Sequence, residues 1–173
     1  MSAEVAAWAV KMLICDVDGV FTDGGLYYDA WGKISKRFHV QDGLGVKLAQ
    51  TAGLPVAVIT GLESEAVKLR FQELGVQEYH AGKLGKLQTL QDICQRHDLD
   101  PLQLAYLGDD WVDAQIMGRV GLPMAVCNAQ PEILGISAWI SSLAGGQGAV
   151  REAIRFILQA QGKWQGLWSN WVD

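Results

Sequence analysis

Short unbroken apolar runs alternate along this chain with stretches in which apolar residues recur every three or four positions. Met12-Leu13-Ile14-Cys15, Pro55-Val56-Ala57-Val58-Ile59 and Pro123 to Cys127 are runs of the first kind and predict buried strands, and Leu102 to Gly108, broken by Gln103, reads as another strand. Val76 to His80 predicts a further short strand and Trp139-Ile140 a last one. Glu63 to Leu74 carries apolar residues at Ala66, Val67, Leu69, Phe71 and Leu74 and stops at Gly75, which predicts a helix. Gly43 to Ala52, Lys86 to His97 and Trp111 to Val120 also read as helices, as does Gly148 to Gln161 with Val150, Ile154, Ile157 and Leu158 in register. Two strand-prone runs, Leu26 to Tyr28 and Ile34 to Val40, flank the Gly-containing loop Asp29-Ala30-Trp31-Gly32-Lys33, which predicts a β-hairpin over about 26–40.

Strands alternating with helices imply an α/β fold, a Rossmann-like parallel sheet with helices on both faces. Ligands then bind beyond the carboxyl ends of the strands. No repeat, linker or low-complexity run interrupts the pattern, so residues 1–163 read as one domain. Residues 164–173 read as a tail in which Trp164, Trp168 and Trp171 recur at helical spacing, to pack on the chain's own core or on a neighbouring subunit.

Composition narrows the functional classes. Half of the 173 residues are hydrophobic, the net charge is −5, and the 14 lysines and arginines are scattered, so no electrostatic footprint for nucleic acid exists. No apolar run is long enough to cross a membrane, and no export signal is evident, which makes the cytoplasm the expected compartment. Cys15, Cys94 and Cys127 form no CxxC and read as reduced packing residues. The histidines lack metal-ligand spacing, and no GxxxxGK[ST] loop is present.

The chemistry collects where the apolar runs end. The first run meets Asp16 and, two positions later, Asp18, before Gly19 releases the chain. Two carboxylates about 4 Å apart would repel by roughly 4 kcal/mol at an effective dielectric of 20, so a divalent cation, a shared proton or a lysine is required, unless both acids are solvated in a turn. Thr60 and Gly61 end the second run, offering a hydroxyl and a backbone N–H that suit a phosphoryl oxygen at a helix start; an ordinary N-cap would look the same. In Gly82-Lys83-Leu84-Gly85-Lys86, one of the two lysines is expected to reach a phosphate and screen the acids, unless both are surface lysines. Gly108-Asp109-Asp110-Trp111-Val112-Asp113 follows another strand as an acidic cluster, either a set of metal ligands or acids favouring a helix N-terminus.

DVDGVFTDG, VITG, GKLGKL and YLGDDWVD, in this order, resemble the motifs of the haloacid dehalogenase-like phosphohydrolases. With FHVQDGLG, GLPMAV, AGGQGAVREA and AQGK added, the chain from Met12 to Lys163 is similar to the 3-deoxy-D-manno-octulosonate 8-phosphate phosphatases, a branch without a cap domain. The resemblance implies a Mg²⁺-dependent phosphatase in which Asp16 is the nucleophile, Asp18 the acid and base, and Thr60 and Lys86 hold the phosphoryl group. It implies Mg²⁺ ligands at Asp16, Asp18 (through its carbonyl) and Asp109, with Asp110 and Asp113 as supporting acids. Substrate contacts are implied at Asp18, His39, Val40, Gln41, Asp42, Gly43, Lys47, Gly61, Arg70 and Lys86. It further implies a homotetramer in which hairpins associate and close neighbouring sites.

Gln41, Lys47 and Leu62 stand where the family usually has arginine, the residue best suited to a sugar-acid carboxylate. Three readings follow: 3-deoxy-D-manno-octulosonate 8-phosphate as substrate, in lipopolysaccharide precursor synthesis; another nonulosonic or sugar phosphate; and a non-enzymatic receiver-like module that keeps a phosphoaspartate.

Overall fold

The computed structural model describes residues 2–82 and 85–172. Its centre is strand β1 (Met12–Cys15), four apolar residues all buried because strands lie on both sides and helices on both faces. In chain order the other strands are β2 (Tyr27–Tyr28), β3 (Ile34–Ser35), β4 (Val56–Ile59), β5 (Glu78–His80), β6 (Leu104–Gly108), β7 (Leu122–Ala125) and β8 (Trp139–Ile140). Six of them form one sheet in the order β5-β4-β1-β6-β7-β8, with every pairing parallel. The chain leaves β1 for β4 and β5 on one side, then crosses back to β6, β7 and β8 on the other. The crevice opened by that reversal lies at the carboxyl end of β1.

The helices are α1 (Ala3–Ala9), α2 (Val40–Thr51), α3 (Glu65–Leu74), α4 (Lys86–His97), α5 (Ala114–Met117), α6 (Pro131–Ile136), α7 (Ala149–Ala160) and α8 (Trp164–Val172). Helix α7 packs on α1, α2 and α8, while α4, α5 and α6 form a second group across the sheet. Among the described residues no helix is long and apolar enough to cross a membrane.

Several boundaries depart from the sequence pattern. Helix α2 begins at Val40, three residues early, because Asp42 in its first turn is favourable there. The hairpin is correspondingly shorter: Tyr27 pairs with Ser35 and Tyr28 with Ile34, and Thr22 meets Phe38 in an isolated bridge. Helix α3 begins two residues late, after Ser64, so Thr60 and Gly61 do not sit at a helix start. Leu102 belongs to a 3₁₀ turn closed by an Asp100–Gln103 capping box, and Trp111–Asp113 is another 3₁₀ turn ahead of α5. Helices α1 and α6 had no sequence counterpart. Cys15 is buried but Cys127 is exposed, so a packing role does not extend to Cys127.

Phe38, leaving the hairpin, packs edge-on against Phe71 of α3 at 6.3 Å, and Phe71 also meets Phe21 and Tyr79. Arg37 donates to the Gly146 carbonyl at 3.1 Å. The hairpin is therefore fixed at its base, while Tyr28 and Trp31 near its tip stay exposed.

Candidate active site at the strand ends

A cleft of about 210 Å³ opens where β1, β4 and β6 end. Asp16 and Asp18 reach it from the loop after β1, Thr60, Gly61 and Leu62 from the end of β4, Lys86 from the first residue of α4, and Asp109, Asp110 and Val112 from beyond β6. The loop closes tightly: Gly19 has φ +84°, and a side chain there would overlap the Asp109 carboxylate. A residue without Cβ is what lets the two acidic loops touch.

Lys86 forms the floor. Its side chain is 2% exposed, and its ammonium lies 2.7 Å from Asp113 Oδ1 and 3.0 Å from Asp16 Oδ1. Burial alone would lower the Lys86 pKa, but Asp113 and Asp16 outweigh it and raise the value, so the ammonium stays charged. Asp113 is saturated. Its Oδ1 also accepts from the Tyr106 hydroxyl at 2.6 Å, and its Oδ2 accepts from the backbone N–H groups of Asp109 and Asp110 at 2.9 and 3.3 Å. The spacing of the acids in Gly-Asp-Asp-x-x-Asp thus has a local cause, since the last acid folds back to satisfy the amides of the first two.

Asp16 and Asp109 are left with unsatisfied charge. Burial, then Asp113, pushes the Asp16 pKa above the usual carboxylate range. Burial, Asp113, Asp16 and Asp110 together push Asp109 up to about 8. Carboxylate oxygens of Asp16, Asp109 and Asp113 lie within 4.8 Å of one another, against, among the described residues, the single ammonium of Lys86. Asp16 Oδ1 and Asp109 Oδ1 are buried without a hydrogen-bond donor, the Lys86 contact to Asp16 lying off the hydrogen-bonding direction. Three acids facing one base leave an excess of two negative charges. Hard oxygen donors with that excess fit a divalent cation such as Mg²⁺, with Asp16 and Asp109 as the open carboxylates. The Asp18 carbonyl accepts no backbone N–H among the described residues and is also open.

The remaining predicted residues fall elsewhere. Lys83 lies outside the described residues. Asp42 is buried, and its Oδ1 accepts from the Arg151 N–H at 2.8 Å at the start of α7, so it caps that helix and does not enter the cleft. His39 is the N-cap residue of α2 and Val40 is exposed beside it. Gln41 faces a separate cavity shared with Arg151, Arg155 and Trp164. The Arg70 guanidinium lies against Gly43 and pairs with Glu73, and Lys47 reaches toward Gly75. The side chains of His39, Val40, Gln41, Asp42, Lys47 and Arg70 do not line the cleft.

Two groups escaped the sequence reading. Tyr106 carried a usable signal, since a tyrosine in the middle of a buried strand needs a partner for its hydroxyl. Lys36 carried none. It sits among scattered basic residues, yet its ammonium pairs with Asp18 Oδ1 at 2.5 Å.

No protein-family model matches the chain. The chain is 39% identical over 165 residues to the 3-deoxy-D-manno-octulosonate 8-phosphate phosphatase of Escherichia coli (strain K12), covering 94% of this chain and 88% of that protein. It is similar to the crystal structure of the Moraxella catarrhalis 3-deoxy-D-manno-octulosonate 8-phosphate phosphatase in complex with magnesium ion, phosphate ion and KDO molecule, with a TM-score of 0.95 and 32% identity over 98% of this chain and 97% of that one. The Yersinia pestis 3-deoxy-D-manno-octulosonate 8-phosphate phosphatase superposes with a TM-score of 0.93 and 37% identity, covering 95% of this chain and 89% of that one.

Proposed function

The chain belongs to the 3-deoxy-D-manno-octulosonate 8-phosphate phosphatase family, within the haloacid dehalogenase-like fold, and on that premise we propose that it is a Mg²⁺-dependent phosphoric monoester hydrolase. Its substrate is 3-deoxy-D-manno-octulosonate 8-phosphate and its products are the free sugar acid, a lipopolysaccharide precursor, and phosphate. The observation that carries this reading is the convergence of Asp16, Lys86 and Asp109 from three separate elements on one cleft at the sheet's reversal point.

Asp16 attacks phosphorus through a carboxylate oxygen and becomes an aspartyl phosphate. Asp18 gives a proton to the departing sugar oxygen and then takes one from the water that cleaves the acyl phosphate. Thr60 and Gly61 hold phosphoryl oxygens, and Lys86 keeps Asp16 in place while offsetting charge. Asp16, Asp109 and the Asp18 carbonyl would hold Mg²⁺, which supplies charge stabilisation for the transferring group. Asp113 supports that set from behind, and Asp110 supports it from the cleft wall.

We take residues 1–163 as the catalytic domain and 164–173 as its tail, and the assembly as a homotetramer. An assembly gives His39, Val40, Gln41, Gly43, Lys47 and Arg70 a use, because they are displaced from the chain's own cleft and can serve a neighbour's. Unpaired Cys15, Cys94 and Cys127 suit a reducing compartment, the cytoplasm.

Leu62 favours a second reading, a different sugar-acid phosphate. It is half exposed on the cleft wall, where the resemblance expects an arginine. A screen of kcat/KM over phosphorylated sugar acids with Mg²⁺ decides. Preference for the octulosonate phosphate supports the first reading, and a clear preference for another acid overturns it in favour of the second.

A further inference from the structure

Lys36 follows β3 directly, and its side chain is 2% exposed although the hairpin around it is open to solvent. Burying an ammonium is costly unless it is paired and hydrogen-bonded. The partner is Asp18 Oδ1 at 2.5 Å, and among the described residues no other side chain donates to the Asp18 carboxylate. Asp18 is itself 27% exposed toward the cleft. One carboxylate oxygen is therefore fixed from behind, and the other is left to face a substrate. The chain just after Lys36 is anchored by Arg37 on the Gly146 carbonyl and by Phe38 on Phe71. A long, flexible side chain would not keep its place without such an anchor.

We infer that Lys36 is a positioning residue: its ammonium sets the Asp18 carboxylate in the orientation from which it serves the leaving oxygen, making the hairpin part of the catalytic apparatus of its own chain. This rests on the proposed role of Asp18. An alkyl ester such as the octulosonate 8-phosphate releases a poor leaving group and depends on Asp18, whereas p-nitrophenyl phosphate releases a group that departs without a proton. The parameter kcat/KM reports the first irreversible step, in which that group leaves, and is blind to the later cleavage of the shared aspartyl phosphate.

The test compares kcat/KM for both esters in wild type, Lys36→Met, Lys36→Arg, Asp18→Asn and the Lys36→Met/Asp18→Asn double variant. Lys36→Met should lose ~10- to 100-fold on the alkyl ester, part of the ~100- to 10,000-fold that a positioned acid supplies, and only a few-fold on the aryl ester. Lys36→Arg, which keeps the charge, should recover most of the loss. The double variant should be no worse than Asp18→Asn alone, because there is then no acid to position. Should Lys36→Met fail to fold, Lys36→Gln replaces it and should show the same leaving-group pattern. Equal losses on both esters, or an additional loss in the double variant, would overturn the inference and leave Lys36 a merely structural residue. Equal losses on both esters in Asp18→Asn would overturn the proposed role of Asp18, and the inference with it.

Discussion

Lys86 decides the electrostatics of the cleft, because among the described residues it is the one cation in contact with both Asp16 and Asp113. Lys86→Met would leave those acids buried and unpaired, a loss of about 3–5 kcal/mol by analogy with other broken buried pairs. Urea unfolding should show that loss without Mg²⁺, and Asp113→Asn added to Lys86→Met should recover part of it, since a buried charge is removed. The acids also fix a pH dependence. The Asp109 pKa rises on folding from 3.8 to about 8, so between those values the folded protein binds more protons than the unfolded one, and stability without divalent cations falls as pH rises through that window. Mg²⁺ should accordingly raise Tm more at pH 8 than at pH 5, measured by thermal melts at both; an equal gain would speak against Asp109 as a ligand. Leu62 governs selectivity at this scale. A charge-assisted hydrogen bond is worth about 1.5–3 kcal/mol, so Leu62→Arg should raise kcat/KM for the octulosonate phosphate about ten- to a hundredfold and leave p-nitrophenyl phosphate nearly unchanged. No gain would place the carboxylate elsewhere.

Among the elements, α8 shows what local pattern could and could not reveal. Its tryptophans promised a helix, and the structure lays it back on α7, with Trp164 under the guanidinium groups of Arg151 and Arg155 at 5.0 and 5.5 Å and with Leu167 buried. Trp168 and Trp171 remain more than half exposed. Deleting residues after Lys163 should cost about 2–4 kcal/mol in chemical denaturation, from the lost burial of Leu167 and Trp164. The central strands were legible because a strand covered on both faces must be apolar at every position, as β1, β4 and β6 are. Helix α1 was not, since Ala3–Ala9 offers small side chains in place of a stripe and leaves Trp8 in solvent. The candidate site followed the same division. Asp16, Lys86 and Asp109 stand at the ends of elements, where sequence position implies spatial position. The Lys36–Asp18 pair depends on a hairpin folding back across the loop, and no period in the sequence encodes that return.

For the whole molecule, the exposed aromatic tip of the hairpin and the displaced residues of α2 are consistent with the proposed assembly. Wild type should sediment as a tetramer, whereas a Tyr28→Glu/Trp31→Glu variant, with charge placed on that tip, should sediment as smaller species; a monomeric wild type would remove the proposed role of α2. The central claim, though, concerns Asp16 at the point where the strand order reverses. Its most direct measurement is the steady-state release of phosphate from 3-deoxy-D-manno-octulosonate 8-phosphate by wild type and Asp16→Asn side by side at neutral pH, with Mg²⁺ and with the ion chelated. The account predicts rapid, Mg²⁺-dependent turnover by wild type and a fall of about a thousandfold or more in a folded Asp16→Asn protein, because an amide is not a usable nucleophile. Substantial turnover by Asp16→Asn, or a wild type that takes up one phosphoryl group and holds it, would contradict the account.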